Sequence, residues 1–269
     1  TNCNAKCFYC YEAGIKSSNM NLETADSVVS FILDKSIGKK VIEIEWFGGE
    51  PLLNSNVIDY ISEKIQKNKP EYTEYRSTMV SNAYLINDSI IKKMKEKWNL
   101  HLIQITLDGI NEEYEQIKGM GEKSFDKVIS NIENLVLNNI KVDIRLNYNY
   151  KNIDKTKREI DFVSELSYKD KLFVYPAKIN TEEKILEFSL EQETIDLYNY
   201  LHQKGLISKL DLLPKTMKTP CIASHKNYFT IHPSGLLFKC DRKYLEKNSV
   251  GSVFNYQEKG LNISSQWNV

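Results

Sequence analysis

Five times between residues 22 and 175, a short β-prone run is coupled to an amphipathic helical stretch. That alternation restricts the chain to parallel βα units, because parallel neighbours need a long crossover and a helix supplies it. Strands are predicted at 41–46, 73–80, 101–107, 140–148 and 172–175, and helices at 22–36, 55–67, 88–97, 124–138 and 153–166. In the first helix Leu22, Ala25, Val28, Val29 and Ile32 share one face, and in the second Val57, Ile58, Ile61 and Ile65 do. The expected fold class is α/β. Segments 182–186 and 190–204 read as charged amphipathic helices with solvated faces.

Cys3, Cys7 and Cys10 stand at the start, spaced four and then three residues apart, and the next cysteine is Cys221. A loop of this spacing wraps three corners of a [4Fe–4S] cube. Such clusters are normally held by four cysteines, so a three-cysteine site leaves one iron open. Structural zinc with a histidine as fourth ligand is the alternative, although His101, His202, His225 and His232 are all distant in sequence. An odd count of five cysteines, with no secretory segment visible, argues against disulfides. After the strand at 41–46 comes Gly48-Gly49-Glu50-Pro51. Two glycines let the backbone approach a ligand closely and expose N–H and C=O groups to a zwitterion. An ordinary strand-to-helix turn has the same composition.

Together these two motifs resemble the radical S-adenosylmethionine enzymes. That family has a Cys-x3-Cys-x2-Cys loop with an aromatic residue before its last cysteine, here Tyr9, and a Gly-Gly-Glu-Pro stretch matching Gly48, Gly49, Glu50 and Pro51. The resemblance implies a [4Fe–4S] cluster on Cys3, Cys7 and Cys10, whose open iron chelates the methionine moiety of S-adenosyl-L-methionine. Reduction of the sulfonium then yields a 5′-deoxyadenosyl radical that removes hydrogen from a substrate, with the chemistry carried by the cofactor and the orientation by the protein. It also implies a partial (β/α)6 TIM-like barrel whose first strand lies upstream of Thr1. An electron donor such as flavodoxin or ferredoxin is an implied partner.

Further stretches are similar to one branch of that family. Ser81 and Asn82 fall in a Thr-Asn-Gly-like segment in which Ala83 replaces glycine, and Thr106 and Asp108 fall in a Ser-x-Asp-Gly-like segment. By resemblance these contact the cofactor. Lys118 stands where the branch has an arginine; it keeps the charge without the planar fork. Arg145, inside an apolar strand, needs a partner and is a candidate for the cofactor's carboxylate or ribose.

Near the end, Cys221 and Cys240 flank a hairpin centred on Pro233-Ser234-Gly235. The pattern looks like the start of a SPASM domain, which implies Cys221 and Cys240 as metal ligands and auxiliary [4Fe–4S] clusters in the full-length protein. The further cysteines of that pattern are absent, and both ends of the chain read as cut. The expected division is 1–179 barrel, 180–220 helical bridge and 221–269 incomplete SPASM-like region. Asp241 follows Cys240, as a catalytic base does in the sulfatase-maturing branch; capping the hairpin is its plain alternative.

The implied activity is modification of a peptide or protein side chain, such as a thioether or another crosslink in a ribosomal peptide. Formylglycine formation in a sulfatase, a small-molecule radical reaction and a non-enzymatic zinc module are the alternatives. Thirty-six basic residues balance thirty-six acidic ones, so there is no electrostatic case for nucleic acid. No membrane span is visible, and free thiols point to the cytoplasm.

Overall fold

The computed structural model describes residues 2–10, 12, 14, 18–149, 151–179, 187–212, 221–241 and 246–262. Five strands, β1 (Val41–Trp46), β2 (Glu74–Ser81), β3 (Leu100–Leu107), β4 (Lys141–Tyr148) and β5 (Leu172–Lys178), form one sheet in chain order. Every neighbouring pair is parallel, and each crossover carries a helix. The helices are α1 (Leu22–Lys35), α2 (Ser55–Asn68), α3 (Asp88–Glu96), α4 (Glu112–Lys118), α5 (Ser124–Leu137), α6 (Ile153–Glu165) and α7 (Glu187–Gln203). The five strands and five helices expected between residues 22 and 175 all form, with boundaries moved by a few residues. The short α4 was not expected: its seven residues hold too few apolar positions to show a period.

Local chemistry sets several of the helix ends. Asn21 caps α1 by accepting the Thr24 N–H, and Asn87 caps α3 by accepting that of Ile90. Gly119, in the left-handed conformation at φ 60°, ends α4.

Alternate residues of each strand face the helices. Tyr75, Met79, Ile103, Ile105, Val142 and Ile144 are buried there. The other face is concave and polar. In register across it stand Glu43 beside Arg76, Gln104 beside Asp143, and Thr106 beside Arg145. Parallel sheets are normally apolar on both faces, so the polar side chains on this face set it apart. Tyr175 donates to Gln104 Oε1 at 2.6 Å across this face.

Two observations revise the outline expected for the C-terminal part. The segment 182–186 lies outside the described residues. The helix expected at 190–204 forms as α7, but it is not merely a solvated bridge: Leu197 and Leu201 are fully buried in the core that β3, β4 and β5 share. Its charges hid two apolar positions four residues apart. The expected hairpin forms as β6 (Thr230–Ile231) and β7 (Leu236–Phe238), and a third strand, β8 (Gly251–Ser252), extends it. This small antiparallel sheet shares a core with the barrel: Leu237, Val250 and Tyr256 cluster with Ala25, Phe31 and Ile42. A further short helix, α8 (Tyr256–Lys259), closes the described chain, and Tyr256 meets Phe31 edge-on at 4.8 Å.

The α2–α3 layer depends on one carboxylate. Asp59 accepts from the indole N–H of fully buried Trp98 at 2.7 Å and from Lys93 Nζ at 2.8 Å. Asp59→Ala strands that indole N–H, so we expect a loss of about 2 kcal/mol in the urea unfolding free energy. Asp59→Asn, which keeps an acceptor, should lose less.

Candidate functional site

Ligands in parallel α/β folds bind beyond the carboxyl ends of the strands, and the candidate residues converge there. Gly48, Gly49 and Glu50 follow β1, Ser81 and Asn82 end β2, and Asp108 with Gly109 follows β3. Gly48 and Gly49 both have positive φ, 95° and 55°, as their turn requires. The cysteine loop lies over these ends. Its backbone is held at Asn2, whose carbonyl accepts the Glu50 N–H at 2.8 Å, and at Lys6, whose N–H donates to the Lys118 carbonyl at 2.7 Å. Asn82 Nδ2 donates to Asn4 Oδ1 at 2.8 Å.

Glu50 organises the first half of the site. It is 2% exposed, and its carboxylate accepts from Ser81 Oγ at 2.9 Å, the Asn82 N–H at 2.8 Å and the Leu52 N–H at 3.1 Å. Burial pushes this carboxyl up, opposed by the Asn82, Leu52 and Ser81 donors. One side chain thereby ties the loop after β1 to the loop after β2. Glu12, not among the expected site residues, accepts the Gly49 N–H at 2.6 Å.

The second half is a buried ion pair. Lys118 Nζ lies 2.6 Å from Asp108 Oδ2, both side chains at most 3% exposed. The Tyr9 hydroxyl donates to the same oxygen of Asp108 and lies 3.3 Å from Lys118 Nζ. Burial alone would depress the Lys118 ammonium, but Asp108 together with Tyr9, Cys7 and Tyr114 more than reverses this and holds it well above its usual range. Three expected cofactor contacts, Tyr9, Asp108 and Lys118, therefore bind one another. The arginine-like position is engaged as a point charge inside a closed triad, a geometry that suits an ammonium.

Thr106 and Arg145 sit side by side on the concave face, and Arg145 Nε donates to Asn147 Oδ1 at 3.0 Å. Asn147, 4% exposed at the end of β4, is a candidate that the sequence did not single out. Glu159 and Lys155, paired at 2.8 Å on α6 and buried, support the turn after β3 from beneath. In sequence they look like an ordinary i,i+4 surface pair. Burial pushes the Glu159 carboxyl up to about 7, with Lys155 opposing.

The C-terminal sheet brings a further group. Fully buried Lys239 donates to the carbonyls of His225 at 2.5 Å and Tyr228 at 2.7 Å, which ties the segment after Cys221 to β7. Cys240 Sγ lies 3.7 Å from Asp241 Oδ1. Asp241 faces Glu45 of β1, whose carboxyl is pushed up by burial and then by Asp241. A cavity of about 830 Å³ runs along β1 between α1 and this sheet, with Gly48, Glu50, Glu45 and Asp241 on its walls.

All five cysteines are free thiols, and Cys3 and Cys10 are exposed at the surface of the loop. Among the described residues, no three His, Cys, Asp or Glu side chains converge as a single metal ion requires. The loop offers three cysteine sulfurs, a donor set that fits an iron–sulfur cluster.

The family model of the radical SAM superfamily matches residues 1–163. The chain belongs to the radical SAM superfamily, and it is an enzyme. It is 26% identical over 275 aligned positions, 88% of this chain and 55% of the relative, to the radical SAM cyclopropyl synthase TigE of Paramaledivibacter caminithermalis. It is 33% identical over 109 residues, 40% of this chain and 36% of the relative, to the uncharacterized protein MJ0907 of Methanocaldococcus jannaschii. The chain thus spans about a third to about half the length of these curated relatives. Among solved structures, anSMEcpe with bound AdoMet superposes with a TM-score of 0.77 at 18% identity, covering 98% of this chain and 79% of that one. Its complex with AdoMet and the Kp18Cys peptide gives 0.74 at 18% identity, covering 96% and 76%. These likenesses show the radical SAM partial-barrel fold. No helix among the described residues is long and apolar enough to cross a membrane.

Glu50→Ala removes one acceptor from three donors at once. We expect it to lower the urea unfolding free energy by about 3 kcal/mol and Glu50→Gln by a smaller amount. Iron uptake should fall in the same order.

Proposed function

We propose that this enzyme binds a [4Fe–4S] cluster on Cys3, Cys7 and Cys10 and uses S-adenosylmethionine to remove a hydrogen atom from a peptide or protein side chain. The observation that carries this reading is the anchoring of the cysteine loop on the strand ends, at Glu50, Asn82 and Lys118. When bound, the cluster and S-adenosylmethionine supply an electron, reductive cleavage of the sulfonium and the hydrogen-abstracting radical.

The chain's own residues hold and orient. Gly48 and Gly49 form the backbone turn that would take the methionine end of the cofactor, in place of Glu12 at the Gly49 N–H, and Glu50 and Pro51 fix that loop. Ser81, Asn82 and Thr106 would be further contacts of the cofactor, with Ser81 and Asn82 set in place by Glu50. Asp108 and Lys118 act on Tyr9, and Arg145 with Asn147 offers a cation and an amide on the concave face. Polar side chains on that face receive the substrate.

A peptide substrate is supported by the complex of anSMEcpe with AdoMet and the Kp18Cys peptide, a structure of like fold; the radical SAM cyclopropyl synthase TigE is similar over most of this chain. Crosslinking within a ribosomal peptide is the preferred outcome, and sulfatase maturation the second. Asp241, beside Glu45 at the chamber wall, is the candidate base. Cys221 and Cys240 are candidate ligands of an auxiliary cluster in a SPASM-like region, completed by cysteines that this chain does not contain. In this reading 1–179 forms the barrel, 180–220 the bridge and 221–269 the SPASM-like part. A flavodoxin or ferredoxin delivers the electron, and the reducing cytoplasm keeps the thiolates free.

Anaerobic reconstitution with iron and sulfide, then reduction with dithionite in the presence of S-adenosylmethionine, should yield 5′-deoxyadenosine. The Cys3→Ala/Cys7→Ala/Cys10→Ala variant should fall to background. Zinc at the triple, with no iron uptake and no product from the unaltered enzyme, would contradict the reading.

A further inference from the structure

We propose that Glu159, on the outer helix α6, is a positioning residue for the cysteine loop, acting through the Asp108–Gly109 turn. The proposal rests on the cluster assignment above only for its second readout.

Glu159 is fully buried, and its Oε1 accepts the Gly109 N–H and the Lys155 ammonium. Its Oε2 is buried with no partner among the described residues. A carboxylate left half satisfied in a core is costly, and an apolar residue there would avoid that cost. What the carboxylate does provide is a fixed anchor for one backbone N–H in the loop after β3. Gly109 is tightly confined: at φ 85°, a Cβ on it would lie 2.8 Å from Glu113 Cγ and 3.0 Å from the Tyr114 nitrogen. The turn can neither accept another residue nor relax towards α4.

Asp108 is the adjacent residue, so the anchor sets where its carboxylate points. That carboxylate holds Lys118 Nζ and the Tyr9 hydroxyl, and the Lys118 carbonyl holds the Lys6 N–H. Tyr9 precedes Cys10, and Lys6 precedes Cys7. Two of the three cysteines are thereby registered on the barrel through a chain of contacts that starts on α6. Every link from Glu159 to the loop is a hydrogen bond or a covalent one, and the side chains of Glu159, Asp108 and Lys118 that carry it are buried. Such a buried, fully connected chain transmits displacement, because its members have no room to adjust independently.

The test compares two variants of the full chain. Glu159→Asp keeps the charge beside Lys155 but withdraws the acceptor from Gly109 by one methylene. Glu159→Gln with Lys155→Met keeps an acceptor for Gly109 and strands no buried charge. The first readout is amide hydrogen exchange at Gly109 and Lys6 without cluster; the second is the midpoint potential of the reconstituted cluster, followed by EPR. In Glu159→Asp both amides should exchange about tenfold faster, the loss of roughly one buried hydrogen bond, and the potential should shift. In the double variant both readouts should stay at the values of the unaltered enzyme. Faster exchange confined to Gly109, with Lys6 and the potential unmoved in Glu159→Asp, would overturn the proposal. If no cluster forms in any form of the chain, the cluster assignment fails, and the Lys6 exchange still decides the role of Glu159.

Discussion

The buried carboxylate of Glu50 is the interaction on which the upper end of the barrel depends. Loops beyond parallel strands carry many unpaired backbone groups, and a loop without fixed acceptors samples many conformations. Glu50 removes that freedom at three points by accepting from Ser81, Asn82 and Leu52. Its own N–H donates to Asn2, and Asn82 reaches Asn4. A single residue thus couples two strand ends to the start of the cysteine loop. Burial disfavours its charge, and the donors it organises offset part of that cost.

The other side of the loop is held by a different kind of contact. Lys118 and Asp108 form an ion pair almost without solvent access. Pairs of this type contribute little net stability, because desolvation consumes most of the attraction, yet removing one partner costs about 3–5 kcal/mol. The consequence is geometric: the ammonium has a defined place, and Tyr9 is drawn to it. Between Glu50 and Lys118 the nine-residue stretch 2–10 is registered on three strand ends, although it has no regular secondary structure itself. A short irregular loop can present thiolates at fixed positions only when a rigid scaffold holds it in this way.

Much of this was legible in the sequence, and the physical reason differs by element. The βα alternation is a periodicity, and periodicity survives without tertiary information; β1 at 41–46 was placed to the residue. The cysteine triple and the Gly-Gly-Glu-Pro stretch are local in sequence, so their spacing alone carries chemistry. Contacts between distant residues were not legible. Lys118 was expected to face the cofactor, and its partner Asp108, ten residues away, was expected to do the same. Only the folded turn shows that they meet. Lys155 and Glu159 have the spacing of a solvated helical pair, and their burial under the β3 and β4 ends depends on the packing of α6. The inward face of α7 was concealed for the same reason, with Leu197 and Leu201 spaced among charges.

In the proposed function, three cysteines hold a cluster with one iron free for the cofactor. The direct measurement is electron–nuclear double resonance on the reduced, reconstituted enzyme with S-adenosylmethionine labelled with ¹⁵N at its amino group. With one iron open to the cofactor, a resolved coupling to the label is expected, together with an EPR spectrum that changes when the cofactor is added. An EPR spectrum indifferent to S-adenosylmethionine, with no nitrogen coupling, would mean that no iron is open to the cofactor and would contradict the proposed function.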